Sequence, residues 1–278
     1  MNDISAALVK ELRDETNVGM MECKRALQEA GGDKGRAIQI LRERGLAVAA
    51  KKAARAAKSG VIAAAVSDDG RVGAMIELNC ETDFVARNEV FRAFVAGLLA
   101  RARQTEGDLT AAAQADVHAM IQKTGENIVL RRHLRWTTGP DGRLAAYVHL
   151  GDKLGVLAEI GLDAEGIPNE DAFRETARDL TLHLAACRPP YLDRAAVPAE
   201  VLAAERDVYA KQVSNKPPAI VEKIVQGKIE KYYTGVCLLE QPFVRDDTIS
   251  VGRWLEAKSA EIGRRLSVRR YMIWQLGE

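Results

Sequence analysis

The first part of the chain has apolar residues spaced three or four positions apart, as on the buried face of a helix. This spacing predicts helices at 4–12 and 20–30, the second ending at Gly31-Gly32, and a third that begins at the N-cap Asp33 and ends at Gly45. Three helices of this size bury only a small shared core. We therefore expect this unit to be marginally stable alone and to dock on another surface.

An alanine-rich segment with several basic side chains follows, from Ala47 to Ser59. Its composition predicts a further helix. The basic residues are Lys51, Lys52, Arg55 and Lys58. Such residues can bind a phosphate backbone, but no aromatic side chains lie between them to stack on bases, and this favours a solvated linker helix.

From Gly60 the pattern changes to one typical of strands. Segments 60–66 and 72–79 flank the turn sequence Ser67-Asp68-Asp69-Gly70, which predicts a β-hairpin. The elements predicted after it are helices around 91–99 and at 109–123 and a closing strand at 127–137.

This series of elements occurs twice. One constant offset pairs Gly73 with Gly155 and Glu77 with Glu159 without a gap. A larger offset pairs Arg131-Arg132 and Trp136 with Arg269-Arg270 and Trp274. We therefore predict two related α/β modules, each with a hairpin, helices and a closing strand, and an insertion in the second copy.

The insertion, at about 188–235, has the pattern of two helices. Amphipathic runs at 199–213 and 219–232 are joined by Ser214-Asn215-Lys216-Pro217-Pro218, which predicts an antiparallel helical hairpin. The apolar residues expected to face one another are Leu202, Val208 and Val213 on the first run and Ile220, Ile224 and Ile229 on the second. Since two helices bury little surface alone, this hairpin is a candidate contact arm.

The two copies differ in the loop that follows the hairpin. The first copy has Cys80-Glu81-Thr82-Asp83-Phe84-Val85-Ala86-Arg87-Asn88, and the second has Asp163-Ala164-Glu165-Gly166-Ile167-Pro168-Asn169. One altered loop on a repeated scaffold suggests that this loop carries the function. The alternative is structural: Thr82, Asp83 or Asn88 caps the next helix and Phe84 packs against its first turn.

Composition and charge narrow the classes of function. With 40 basic and 39 acidic residues the net charge is +1, which argues against bulk electrostatic attraction to nucleic acid or an anionic membrane. No apolar run is long enough for a membrane span, and we expect no secretory signal before the first helix. The widely spaced Cys23, Cys80, Cys187 and Cys237 are expected to be free thiols in a reducing cytosol.

Motif searches argue against an enzyme. The chain has no phosphate loop, dinucleotide-binding glycine motif, zinc-protease motif or serine-hydrolase motif, and its histidines lack a second ligand at metal-site spacing. The alternative of a nucleophile pair, Cys187 with His183 one helical turn away, is weak. A cysteine followed by Arg188-Pro189-Pro190 is more often a core or cap residue.

Four segments in order resemble the elongation factor Ts family. Thr16-Asn17-Val18-Gly19-Met20-Met21-Glu22-Cys23-Lys24-Arg25-Ala26-Leu27 is similar to its first signature, and Asn79-Cys80-Glu81-Thr82-Asp83-Phe84-Val85 to its second. Gly125-Glu126-Asn127-Ile128, with Arg131-Arg132, and Gln241-Pro242-Phe243-Val244 are further matches. The resemblance implies an α+β fold: a ubiquitin-associated-like three-helix domain at 1–54 and core modules at 55–140 and 141–278, the second interrupted by the helical arm at about 188–235.

The resemblance also implies a function. The chain is expected to be a cytoplasmic guanine nucleotide exchange factor that binds elongation factor Tu·GDP and displaces Mg²⁺ and phosphate contacts, with no catalytic residue, metal, cofactor, membrane contact or stable nucleic-acid partner of its own. A homodimer or a 2:2 complex stays open. The wedge that enters the partner would be Thr82, Asp83, Phe84 and Val85. Weaker contact candidates are Lys10, Arg13, Met20, Met21, Lys24, Lys52, Ile128, His149 and Val244.

The second-ranked function is an RNA- or ribosome-binding module that uses the basic segment 47–59 and the paired arginines at 131–132 and 269–270. One of Met20 and Met21 would pack in the small helical core rather than contact a partner. Glu81 departs from the family, in which glutamine is common at this position, and adds a charge beside the wedge.

Overall fold

A computed structural model of the chain describes residues 4–16, 18–149 and 151–278, with the backbone alone at 46–48 and 50. Asn17 of the first motif lies outside the described residues, as do residues 1–3, which the expectation about a secretory signal concerns. Helices combine with small antiparallel sheets, so the α+β class predicted from the sequence is confirmed.

Three helices open the chain: α1 (Ala6–Thr16), α2 (Met20–Glu29) and α3 (Lys34–Lys52). Asp33 caps α3 as predicted, because its side chain accepts a hydrogen bond from the backbone N–H of Arg36 at 2.9 Å. The shared core is small and consists of Val9, Leu12, Cys23, Ala26, Leu27, Ala30, Ala37 and Leu41.

The first module is a three-stranded antiparallel sheet, in the order β1-β2-β3, covered by helices. Its elements are β1 (Ser59–Val66), β2 (Val72–Cys80), α4 (Asp83–Arg87), α5 (Glu89–Gln104), α6 (Leu109–Thr124) and β3 (Val129–Thr137). The apolar face of α5, with Phe91, Val95 and Leu98, is buried against Ile76 and Leu78 of the central strand. Burial of this face is what holds the helical layer on the sheet.

The second module repeats this sheet, in the order β4-β5-β8. Its elements are β4 (Gly142–His149), β5 (Leu154–Leu162), α7 (Glu170–Cys187), α8 (Ala199–Gln212), α9 (Pro218–Val236), β6 (Pro242–Phe243), β7 (Asp246–Ser250), α10 (Val251–Ile262) and β8 (Leu266–Gln275). Both sheets have a register irregularity at the same point, between Glu77 and Leu78 and between Glu159 and Ile160. The repeat found in the sequence is therefore a repeat of structure.

Helix α3 does not end at Gly45, so that part of the prediction is wrong. A Cβ atom on Gly45 would lie 2.7 Å from Nε2 of Gln122 on α6, and this same nitrogen donates to the carbonyl of Leu41 at 3.1 Å. The glycine allows a close approach of two helices rather than a helix end. Nor is there a separate helix at 47–59: α3 ends at Lys52 and β1 begins at Ser59.

The two sheets pack on one another where each central strand has a glycine. A Cβ on Gly155 would lie 2.4 Å from Cγ2 of Ile62 and 2.8 Å from the sulfur of Met75. At its counterpart Gly73, a Cβ would lie 2.9 Å from Cδ1 of Leu157. Large side chains of one sheet thus fill the space that the other sheet leaves at its glycine, and any larger residue there would meet a filled core.

A buried carboxylate and an arginine connect the modules beside this contact. Glu77 accepts a hydrogen bond from Nε of Arg132 at 2.7 Å within the first sheet. The guanidinium carbon of Arg132 lies 4.5 Å from the ring centroid of Trp274, which belongs to the second sheet. The cation–π contact therefore crosses from one module to the other.

The reciprocal contact comes from the second module. Glu159 accepts from Nε of Arg270 at 2.7 Å, and Arg270 lies 4.3 Å from the ring centroid of Trp136 in the first sheet. Burial raises the pKa of the Glu159 carboxyl, but hydrogen bonds from Thr138 and Arg270 outweigh burial and the pKa is lowered. Glu159 therefore stays ionised at neutral pH and retains its arginine.

Helices α8 and α9 form the predicted hairpin, and Ile229 is buried as predicted, but two of the other residues expected to face inward are exposed. Val208 and Ile220 are exposed, whereas Val225 and Ile229 are buried. On α9 the additional buried position is Val225 rather than its predicted neighbour Ile224, which is half-buried.

Candidate functional site

The loop after β2 forms one helical turn, α4, and side chains cap the N-terminus of α4 and that of α5, which follows it. The side chain of Thr82 accepts from the backbone N–H of Val85 at 3.3 Å, and that of Asn88 accepts from the N–H of Val90 at 2.8 Å. The structural role considered for Thr82 and Asn88 is confirmed. A capping role does not account for the residue between them, Phe84.

Glu126, which precedes β3, holds the start of this loop. Its carboxylate accepts from the backbone N–H groups of Glu81 and Thr82, each at 3.0 Å, and from the Thr82 hydroxyl at 2.6 Å. Hydrogen bonds to a charged acceptor are roughly twice as strong as neutral ones. The backbone immediately before α4 is therefore fixed to a neighbouring segment of the module.

The added charge of Glu81 is also paired. Its Oε1 accepts from the backbone N–H of Asn127 at 2.7 Å and lies 3.6 Å from Nη1 of Arg55. Beneath the loop, Cys80 donates its thiol hydrogen to the carbonyl of Thr82 at 3.1 Å, and burial raises the thiol pKa to about 11. Cys80 is therefore an uncharged structural residue at neutral pH.

Phe84 points away from the module that carries it. Ala86 is buried and Val85 packs against the core, whereas the Phe84 side chain is 82% exposed, more than any other large hydrophobic residue that the structure describes. It therefore does not pack against the first turn of α5. A rigidly presented aromatic ring has the properties of an interface anchor, since burying it contributes roughly 1.5–3 kcal/mol.

Asp83, the first residue of α4, is exposed, and its carboxylate lies 3.2 Å from Nη2 of Arg87. Both side chains extend into solvent, so this ion pair contributes little to stability. The carboxylate remains accessible to a partner beside Phe84.

His149 and Val244, far apart in sequence, line one groove of ≈ 790 Å³ that is formed mainly by the second module. Val244 is 47% exposed. His149 is half-buried, and its Nδ1 lies 2.6 Å from the hydroxyl of Tyr147. The ionisable side chains that line the groove, among the described residues, are Lys58, Tyr147, His149, Lys153, Arg188 and Arg245. Its rim is therefore basic and suits an acidic surface.

His183 lies fully buried behind this groove. Its Nε2 lies 2.9 Å from Oε1 of Gln241, and its Nδ1 lies 3.2 Å from the backbone N–H of Val244 and 3.8 Å from the sulfur of Cys187. An N–H donor at Nδ1 makes that nitrogen an acceptor, so Nε2 carries the proton. Neither nitrogen is free to act as a base. Burial raises the pKa of the Cys187 thiol, and the nucleophile pair is not supported.

Stability is expected to fall when the pH drops from about 7.5 to about 5.5. Burial lowers the pKa of His183 below its ordinary value of 6.5, so the unfolded chain takes up the proton first. The stabilisation is complete well above pH 6.5 and is lost as the pH falls through 6.5 toward the folded pKa.

Urea unfolding at several pH values measures this loss. His183→Gln, which retains the other histidines, is the matched control and should lose less stability on acidification. The charged and titratable groups that face the ring are Cys187, a thiol whose pKa burial raises, and Arg245, which pairs with Asp179 one turn earlier on α7 at 2.9 Å. Equal losses in both proteins would contradict the expectation.

The N-terminal candidates lie on the surface of the three-helix bundle. Lys10 and Arg13 are exposed on α1, and Lys24 on α2. Met20 and Met21 are 51% and 66% exposed, so the alternative that one of them packs inward is wrong. Gly19 starts α2 just before them, and Cys23 and Leu27 supply the buried face instead.

Ile128 does not fit the role of a contact residue. Its side chain is only 2% exposed and belongs to the core of the first module. It directly follows Gly125-Glu126-Asn127, so burial of the Ile128 side chain anchors the segment whose Glu126 holds the start of α4. Lys52 donates to the carbonyl of Gly125 and so joins α3 to the same segment.

The family model described as Elongation factor TS matches residues 81–278. The chain is 42% identical over 294 residues to Elongation factor Ts of Chloroherpeton thalassium, with 100% of both chains covered. It is 40% identical over 288 residues to Elongation factor Ts of Clostridium botulinum, with 99% of this chain and 93% of the relative covered. The chain belongs to the elongation factor Ts family. Membership supports a role as a nucleotide exchange factor in translation elongation.

In this family member, sequence reasoning did not identify the residues that hold the exposed contact candidates in place. Glu126 was noted only as part of a motif, and His183 only as a weak nucleophile partner. Lys153 and Arg245 at the groove were not considered, and Arg188 was noted only as the residue that follows Cys187. Arg245 directly follows the matching segment that ends at Val244, and this adjacency was the one signal that could have identified it.

Two negative findings apply to residues 4–16, 18–149 and 151–278. Within these ranges His, Cys, Asp and Glu side chains form no group of three or more that is able to hold a metal ion. No helix there combines the length and the apolar character that crossing a membrane requires.

Proposed function

We propose that this chain binds elongation factor Tu·GDP and promotes release of GDP by inserting the turn 82–85 between elements of the partner. The observation that carries the proposal is Phe84, an aromatic side chain in solvent on a backbone that Glu126 and Thr82 hold in place. A residue so exposed does nothing for its own fold. Its orientation supplies apolar surface to a partner at little conformational cost.

The chemistry of exchange requires no nucleophile or acid in this chain. Bound GDP is held by backbone amides of a phosphate loop and by Mg²⁺, and displacing either weakens that hold. A thousandfold acceleration of release requires about 4 kcal/mol of barrier lowering. The coupling is reciprocal, since a factor that weakens nucleotide binding is itself weakened by nucleotide to the same degree. Nucleotide that enters the vacated site therefore ejects the factor, and the factor turns over.

The basic groove is the proposed second contact, through His149 and Val244 to another domain of the same partner. The exposed side chains of α1 and α2, above all Met20 and Met21, are the proposed third. We propose the same division of the chain as the sequence suggested, with units at 1–54, 55–140 and 141–278 and the arm at about 188–235. We expect this activity in the cytoplasm, where translation elongation takes place.

The RNA-binding alternative is less well supported, because many of its basic residues are occupied within the protein. Arg132 and Arg270 pair with the buried Glu77 and Glu159. Arg55 lies beside Glu81, and Lys52 donates to a backbone carbonyl. Side chains committed to carboxylates and carbonyls are not available to phosphates without losing these contacts.

Release of a fluorescent GDP analogue from purified elongation factor Tu tests the proposal. Added at a tenth of the partner concentration, the protein should accelerate release of all the nucleotide, since each molecule acts repeatedly. Light scattering of the nucleotide-free complex distinguishes a 1:1 from a 2:2 assembly. If the folded protein leaves the release rate unchanged, the proposal fails, and RNA binding that weakens steeply with salt becomes the function to examine.

A further inference from the structure

We propose that His183 is a positioning residue for the partner contact made by Val244. It fixes the turn between β6 and β7 from behind, so that Val244 projects into the groove. This inference rests on the proposed function, since it concerns one of the contacts with the same partner.

The turn lacks the features that would make it stable by itself. It joins a strand of two residues to one of five, and a hairpin this small is marginal in water. Val244 and Arg245 form the turn, and neither has a positive φ. The two-residue turns that best suit hairpins need positive φ, supplied by glycine or asparagine. The conformation of Val244 therefore depends on contacts from outside the hairpin.

Helix α7 supplies those contacts with two side chains one turn apart. Nδ1 of His183 accepts from the backbone N–H of Val244 at 3.2 Å, and Asp179 accepts from the guanidinium of Arg245 at 2.9 Å. The ring of Phe243 lies 5.9 Å from that of His183 and 4.2 Å from that of Trp254. The backbone of Val244 is thus tied to a rigid helix while its side chain stays in the groove.

A further bond fixes the ring that makes this contact. Nε2–H of His183 donates to Oε1 of Gln241 at 2.9 Å, and the Gln241 amide donates to the carbonyl of Gly235, in the last turn of α9, at 2.8 Å. The ring therefore has one donor and one acceptor, each matched, and it cannot rotate without losing both. Only the bond at Nδ1 reaches the residue that faces the partner.

Two substitutions separate the two bonds. The amide group of His183→Asn ends at the distance of Nδ1, so its oxygen can still accept from Val244 but nothing reaches Gln241. The amide group of His183→Gln extends to the distance of Nε2, so it can still donate to Gln241 but leaves the Val244 N–H without a partner. Each variant loses one hydrogen bond and part of one ring.

The test uses the full chain and the GDP-release assay, with the factor concentration varied. His183→Gln is expected to raise the concentration for half-maximal acceleration about tenfold and to leave the maximal rate within about twofold, because the wedge is untouched. His183→Asn is expected to stay within about twofold of the unmodified protein in both quantities. Val244→Ala should raise the half-maximal concentration when it is made in the unmodified protein. When it is added to His183→Gln, it should raise this concentration little further.

Hydrogen exchange of the Val244 amide gives an independent readout. It should be about tenfold faster in His183→Gln than in His183→Asn. Equal half-maximal concentrations and equal Val244 exchange in the two variants would overturn the inference. So would a half-maximal concentration that is higher for His183→Asn than for His183→Gln. These outcomes differ from failure of the proposed function, in which the unmodified protein itself does not accelerate release.

Discussion

Phe84→Ala is expected to lower the rate of GDP release at saturating factor by about a hundredfold, which corresponds to about 2.7 kcal/mol of lost barrier lowering. An aromatic anchor that fills a pocket in the partner commonly contributes this much to an interface. The fold should be unaffected, because the side chain is 82% exposed and its removal leaves no cavity. Stopped-flow release of labelled GDP measures the rate, and thermal unfolding verifies the fold.

Met272→Ala is the matched control. Met272 is also a large, partly exposed hydrophobic residue, but it lies on the closing strand of the second module and has no assigned contact. Its replacement should leave the rate within about twofold. A folded Phe84→Ala protein that accelerates release normally would refute the wedge. A loss of similar size in both variants would show that exposed apolar surface in general is responsible.

The largest effect on stability is expected for Gly155→Ala, which should lower the free energy of unfolding by about 1–3 kcal/mol. The added methyl would lie 2.4 Å from a methyl of Ile62 and 2.8 Å from the sulfur of Met75, both in the opposite sheet. The two sheets must separate or a side chain must leave its preferred rotamer. Chemical denaturation measures the loss, and exchange activity should fall in parallel once the modules shift.

Gly97→Ala provides the comparison, since a Cβ on this α5 residue meets nothing within 4 Å. Alanine in an open helical position is expected to stabilise the protein by up to about 1 kcal/mol. The two substitutions add the same atom and should have opposite signs. If Gly155→Ala were neutral, the sheets would be able to separate freely, and the packing argument would fail.

The sequence revealed the repeat partly because several of the identities between the copies are residues that join the two modules. Gly73 and Gly155 lie at the sheet contact, and the glutamate, arginine and tryptophan of each copy form the crossed contacts. Packing of two sheets at a glycine tolerates few substitutions, so both copies retain the same residues. The candidate wedge was singled out for the opposite reason, since it lies in the loop where the copies differ.

Other features depended on contacts that no local pattern encodes. Gly45 has the usual signature of a helix end, yet it lies inside α3 because α6 passes against it. His149 and Val244 line the same groove although they are far apart in the chain. Strand β6, which leads into Val244, is only two residues long and leaves little pattern in the sequence. The role of His183 follows from where a buried ring places its two nitrogens, and composition and spacing carry no information on this.

The crossed contacts between the modules have a consequence for how the chain is assembled. The same patch on each half meets its counterpart, as in an isologous dimer, but here both halves belong to one polypeptide. Their association is intramolecular and is governed by an effective concentration rather than by how much protein is present. Dilution therefore cannot separate them. The second half accommodates the inserted arm without losing its partner, and this is how a symmetric pair of sheets comes to present two different surfaces.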